Sequence, residues 1–175
     1  MRWLVPLAAG LLAGALGFWV SLDQVPGFIM SRTMERILDG GAPLNGVTHV
    51  PPVTETSRGV VRPSPDILYS VCPFDLSDGP LLIQAQWPQS GSYASISLYD
   101  AHTNNIFTLS DRDQGRAAAI WLDQADTTTG PAGAIPVESP SETGLVLYRR
   151  IVEDPSGLEA ADAGRRSFMC ETQQR

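Results

Sequence analysis

Residues Tyr93–Tyr99 read Tyr-Ala-Ser-Ile-Ser-Leu-Tyr. Hydroxyl side chains stand at 93, 95, 97 and 99, and apolar ones at 94, 96 and 98. Successive side chains of a strand point to opposite faces, so Ala94, Ile96 and Leu98 share a core-facing side. The hydroxyl set then faces solvent or lines a polar cavity. Outward from this strand the same signal recurs. Ile67–Leu76 alternates in part, with Leu68, Ser70, Cys72, Phe74 and Leu76 on one face, and its Pro73 predicts an edge or a bulge. Gly79-Pro80 turns the chain into Leu81–Trp87, and Pro88 with Ser90-Gly91 turns it into Tyr93–Tyr99. Ile106–Leu109, Ala117–Leu122, Ala134–Val137 and Gly144–Val152 are further strand candidates. Short strands between turn signals predict a mainly β domain, an antiparallel sandwich or jelly-roll-like barrel, over residues 66–175. Asp154-Pro155 reads as an N-cap followed by Pro at N1. The helix it opens is expected to run to about Met169, with Leu158, Ala161, Arg165 and Phe168 in one stripe and Arg165-Arg166 complementing the dipole.

The amino-terminal end speaks a different language. Trp3–Leu22 is a run of 20 residues without a charged side chain. At ~1.5 Å rise per residue, a helix of that length matches the hydrocarbon thickness of a bilayer. Trp3 and Trp19 sit near its ends, where interfacial aromatics are enriched. A cleaved secretory signal is the competing reading, with Arg2 as the basic start and Ala13-Gly14-Ala15 or Ala15-Leu16-Gly17 as cleavage triplets. The apolar run continues past both triplets through Phe18, Trp19 and Val20, which favours a retained transmembrane signal anchor. Arg2 precedes the run and Asp23 is the first charge after it, so residues 23–175 are expected outside the cytoplasm. Gly10 and Gly14 make one GxxxG spacing, which low-volume lipid-facing residues explain as well as helix pairing does. Residues 23–65 form a juxtamembrane section. Val25–Leu38 reads as an amphipathic helix with Met30, Met34, Ile37 and Leu38 near one face, stopped by Gly40-Gly41. Gly40–Pro65, with five prolines, reads as linker or extended loop.

Composition narrows the partners. The chain has 12 arginines and no lysine against 19 acidic residues, for a net charge of −7. Without a basic stripe, nucleic acid is not an expected partner, since phosphate neutralisation supplies most of that affinity. An acidic surface is also repelled by anionic headgroups, so membrane contact falls to Trp3–Leu22. Cys72 and Cys170 admit two readings, a disulfide in an oxidising compartment or two separate buried thiols.

Candidate binding groups gather on and after the Tyr93–Tyr99 strand. Tyr69, Tyr93, Tyr99, Asp100, His102 and Asn104 would together line a pocket that hydrogen-bonds a small ligand. Asp100 and His102 lack the further ligands a metal site needs, and the other histidine, His49, lies in the Pro-rich section. Turn formation is the simpler role for the Asp and Asn residues. No metal and no cofactor is expected. The G-x-S-x-G elbow and glycine-rich phosphate fingerprints are absent from the sequence, and Asp111/Asp113 read as a solvated loop.

Several of these segments in order resemble one bacterial family, domain of unknown function 1254 (DUF1254). Ser64-Pro65-Asp66-Ile67-Leu68-Tyr69-Ser70 is similar to its N-x-D-T-L-Y-S signature, and Phe74-Asp75-Leu76 with Gly79-Pro80 to the strand and turn that follow. Tyr93–Asp100 and Thr103-Asn104-Asn105 resemble its R-Y-Y-S-L-Q-L-Y-D-x-Y-T-N stretch, Val146–Arg150 its late R-T strand, and the Asp154-Pro155 helix follows in place. The chain departs from the pattern at Ser64-Pro65, where an Asn is usual, at Ser92, where an Arg is usual, and at His102, where an aromatic is common. Family members often carry a second domain, DUF1214, on the same chain. The resemblance therefore implies a short form, anchored once in a bacterial inner membrane with its β domain in the periplasm. Its expected role is that of a non-catalytic interaction domain with a separately encoded DUF1214-like partner. The alternative is a small-ligand-binding protein or enzyme using the tyrosine-lined pocket. Family 1254 implies no general activity.

Overall fold

Period-two patterning becomes nine strands among the described residues, with helices at the two ends of the chain. The computed structural model describes residues 3–54, 64–89, 92–113, 115–124 and 130–174. Arg2, the Ser90-Gly91 turn and positions 55–63 of the Pro-rich section lie outside them. In chain order the elements are α1 (Leu4–Asp39), β1 (Thr48–His49), β2 (Ile67–Asp75), β3 (Leu81–Gln86), β4 (Ala94–Asp100), β5 (Asn105–Ser110), β6 (Ala117–Asp123), β7 (Ile135–Glu138), β8 (Thr143–Ile151), α2 (Leu158–Arg165) and β9 (Met169–Thr172). A 3₁₀ turn, Pro155–Gly157, leads into α2.

The strands form a five-stranded sheet, β1-β2-β8-β4-β5, and a four-stranded sheet, β7-β6-β3-β9. All neighbours run antiparallel except β6 and β7, which are parallel. Between the sheets lies one apolar core. Cys72, Phe74, Ile96, Leu98, Val146 and Tyr148 enter it from the larger sheet, and Leu81, Ile83, Ala118, Ile120, Leu122 and Cys170 from the smaller. Leu68, Ser70, Cys72, Phe74 and Leu76 are all buried, as their shared parity requires. Tyr148 and Phe168 stack with ring centroids 5.1 Å apart, a geometry that adds about 0.5–1.5 kcal/mol beyond the area buried. Pro73 sits on the open side of β2, where its carbonyl accepts from the Asn45 amide at 2.8 Å. An antiparallel residue presents N–H and C=O to the same side, so the missing proline N–H leaves the β2–β8 ladder whole.

Three elements differ from the sequence reading. The apolar run and the amphipathic stretch after it are one helix of 36 residues, α1, with Pro26 inside it. Its first five turns are exposed on every side, whereas Pro26, Gly27, Met30, Thr33, Met34 and Ile37 form a face turned to the domain, with Met30 buried. Gly41 closes the helix at φ +89°, with the amides of Gly41 and Ala42 donating to the carbonyls of Leu38 and Ile37, a Schellman arrangement that glycine adopts without a Cβ clash. Thr48–His49, inside the stretch read as linker, pairs with Val71 and Ser70 of β2. The C-terminal helix stops at Arg165 instead of about Met169, and Met169–Thr172 adds to β3 as β9. Pairing there places Cys170 in the core beside Ile83 and outweighs the helical stripe.

Candidate functional site

The six residues singled out in sequence occupy three separate places. Asp100, His102 and Asn104 share the turn between β4 and β5. The Asp100 carboxylate accepts from the amides of His102 and Asn104 and from Asn104 Nδ2, each at 2.8 Å. Burial acts to raise this carboxyl, and the three hydrogen bonds outweigh it and hold it below the ordinary value. Asp100 thus directs its acceptor capacity at its own turn, where Thr103 adopts φ +65°. His102 is exposed, and its Cδ2 would lie 3.6 Å from a Cβ built on Gly27, so this turn is a seat for α1. Tyr99 adjoins the turn on β4. Tyr93 is six residues away on the same face, about 20 Å along an extended strand, with the Arg112 guanidinium 5.4 Å over its ring. Tyr69 stands two strands over from Ser95, across Arg149.

The alternation that defined β4 is present, but its hydroxyl face is not a wet one. Ser95 and Ser97 are both fully buried. Ser97 Oγ accepts from Arg149 Nη2 at 2.9 Å and from Thr108 Oγ1 at 3.2 Å. The outer face of the larger sheet is therefore a closed polar seam between half-buried apolar neighbours such as Val71 and Leu147.

A denser polar cluster occupies the opposite end of the sandwich, beneath α2. Arg165, 2% exposed, pairs with Asp162 and donates from Nη1 to the carbonyls of Val50 and Tyr69 at 2.8 and 2.6 Å. The Asp162 carboxyl is held low first by the Arg165 hydrogen bond, with Arg166 adding to it at 2.9 Å. His49 Nδ1 lies 2.8 Å from Ser70 Oγ. Burial, then the positive charge of Arg165 and Arg166, pushes His49 below the ordinary imidazole value. A few residues away, Arg150 extends from the inner face of β8 in register with Leu68 and Ala94. It is 8% exposed, and its Nε is sealed without a partner among the described residues. The neighbouring Tyr148 hydroxyl and Asp111 Oδ1 are also buried without a hydrogen bond. Burial raises the Tyr148 phenol against the pull of Arg150.

Cys72 and Cys170 meet across the core as free buried thiols, one from each sheet, close enough to hydrogen-bond. Burial, reinforced by Cys72, pushes the Cys170 thiol well up. Among the described residues no cluster of three metal-ligating side chains occurs.

Sequence reasoning passed over Arg150, although a signal was present. In Gly144–Val152 it shares parity with Val146 and Tyr148, which puts an arginine on the core-facing side of a strand.

Fold and polar clusters together define the class: a two-sheet β domain carrying one long apolar N-terminal helix. The chain belongs to the family described as protein of unknown function (DUF1254), whose model matches residues 44–172. No curated protein sequence matches it. Among solved structures it is similar to the VPA0106 protein from Vibrio parahaemolyticus, with a TM-score of 0.64 at 13% identity over 87% of this chain and 37% of that one. It also matches a putative uncharacterized protein from Burkholderia cenocepacia, with a TM-score of 0.49 at 12% identity over 74% of this chain and 34% of that one. The chain spans little more than a third of the length of either neighbour.

Proposed function

We infer that this protein is a membrane-anchored, non-catalytic interaction domain of the bacterial envelope. The observation that carries the reading is the continuity of α1. One uninterrupted helix is apolar and exposed over its first turns, long and apolar enough to cross a membrane, and packed by its last turns on the larger sheet and the β4–β5 turn. At ~1.5 Å per residue its 36 residues extend about 54 Å. A bilayer core accounts for about 30 Å of this, and the remainder reaches the domain without a flexible break. Such a strut fixes the sandwich at a set height and orientation above a bilayer, as suits a docking module. With Arg2 on the cytoplasmic side, the β domain stands in the periplasm.

The partner class proposed here rests on the family resemblance, in which a second domain, DUF1214, often accompanies this one. In the Vibrio protein the matched fold is 37% of a longer chain. A DUF1214-like protein is the counterpart proposed here for that further polypeptide. Two measurements test the reading. The full chain is expected to stay in the membrane pellet through an alkaline wash and to become soluble when residues 1–22 are deleted; release of the intact chain overturns the anchor. After gentle solubilisation, the tagged chain is expected to co-purify in fixed stoichiometry with a DUF1214-like protein. Recovery of the chain alone overturns the docking role.

A further inference from the structure

Two arginines are buried at the α2 end of the sandwich, and of these Arg165 forms an ion pair within the described residues and Arg150 does not. Arg165 has Asp162 and two carbonyls. Arg150 has no carboxylate within ion-pairing distance among the described residues, its Nε is without a partner, and the group it acts on next to it is the neutral Tyr148 phenol. A guanidinium cannot shed its proton, so burial does not neutralise it. An uncompensated buried charge is strongly unfavourable, which calls for a counter-ion from outside the chain. The fold makes room for this side chain deliberately: at Gly164 of α2 a Cβ would collide with Arg150 Nη1 and lie 2.9 Å from its Cζ. Beside the guanidinium opens a cleft of about 240 Å³ between β8 and the start of α2, lined by Ser92, Arg150, Val152, Gly157, Ala160 and Ala161.

We propose that this cleft binds a small monocarboxylate, with Arg150 as its counter-charge. A guanidinium fork matches a carboxylate with two parallel N–H···O bonds. The Ser92 hydroxyl supplies a further polar contact, and the small apolar side chains on α2 suit a short hydrocarbon tail. The volume lies below the usual range for drug-sized ligands, which restricts the tail to a few carbons. Glu153 and Asp154 stand exposed at the rim. Their charges disfavour a phosphate or a dicarboxylate, whereas a singly charged ligand is neutralised by Arg150 alone.

The experiment uses the full chain in an uncharged detergent, with butyrate as the probe and chloride and inorganic phosphate as controls at matched ionic strength. Butyrate is expected to raise the melting temperature saturably, by about 3 °C at ten or more times its Kd. Chloride and phosphate are expected to have no such effect. Arg150→Gln is expected to abolish the shift while melting no lower than the parent without butyrate, because it removes an uncompensated charge. Ala160→Leu narrows the cleft from its exposed side and leaves Arg150 in place. It is expected to weaken butyrate at least tenfold with the ligand-free melting temperature unchanged. The proposal is overturned by any of three results: no carboxylate-specific shift in the parent, an equal shift in Arg150→Gln, or a ligand-free Arg150→Gln melting several degrees lower.

Discussion

Arg165 shows how one buried cation can organise the end of a sheet. It ties α2, through Asp162, to the backbone of β2 and the chain after β1, through the carbonyls of Tyr69 and Val50. Arg165→Met leaves the Val50 and Tyr69 carbonyls without their donor and Asp162 with Arg166 alone. The expected loss is about 3 kcal/mol, measured by chemical denaturation; a change under 1 kcal/mol would show that the cluster is not structural. His49 gives the same cluster a pH dependence. Its folded-state value is held below the ordinary 6.5, so the unfolded chain binds the proton first as pH falls. Stability is complete above about 6.5 and declines as pH drops from there toward the folded value. His49→Gln should flatten that part of the stability-versus-pH curve. An unchanged slope in the variant rules out His49 as its source.

At the level of elements, the tightest fit is β8 against its neighbours. Gly144 pairs with Phe74 on one side and Asp100 on the other. A Cβ there would collide with the Tyr99 carbonyl and lie 2.5 Å from Phe74 Cζ. Backbone cannot move aside as a flexible side chain can, so Gly144→Ala should cost about 3 kcal/mol, the upper range for overpacking. Thermal melting provides the check. The facing thiols of β2 and β9 give a second element-scale expectation. In reduced, folded protein Cys72 and Cys170 should resist thiol reagents at pH 8, since both are buried and the Cys170 thiol titrates well above its usual value. In an oxidising compartment, a disulfide oxidant can take two electrons and two protons from the pair and join β2 to β9. Protein isolated from its native membrane under acid quench should then show no free thiols after denaturation. Two free thiols would contradict both the disulfide and the compartment that favours it.

Across the whole molecule, α1 and α2 mark opposite ends of the same sandwich. The α1 end carries the Asp100–Asn104 turn and, by our reading, faces the membrane. The α2 end carries Arg150 and the cleft. If α1 is a rigid strut, its docked face matters for orientation more than for folding. Met30→Ser is expected to loosen the domain from the helix while the chain stays in the membrane. The loss should appear as increased protease sensitivity near residues 40–46, with a domain melting temperature within about 3 °C of the parent, because Met30 lies outside the inter-sheet core. Unchanged cleavage would show that the helix face contributes little.

The sequence by itself determined the local structure wherever one physical signal dominated. The alternation in Ile67–Leu76, Tyr93–Tyr99 and Gly144–Val152 specified strands and their core-facing residues, but not that Ser95 and Ser97 on the other face of β4 are buried as well. Asp154 caps the 3₁₀ turn through the Ser156 amide at 2.8 Å, as its position before Pro155 requires. The uncharged run made a membrane-length helix. Tertiary structure alone decided matters that depend on contacts between distant segments. Met169–Thr172 became a strand because β3 offered an open edge and the core a place for Cys170. Tyr69, Tyr93 and Tyr99 failed to converge because the pairing spread them over one sheet face. The two cysteines came together, and Arg150 was left under α2 without an ion pair among the described residues, because packing positions side chains that lie far apart in the chain. Local patterns specify which face a residue takes, and only the folded arrangement of faces specifies its neighbours.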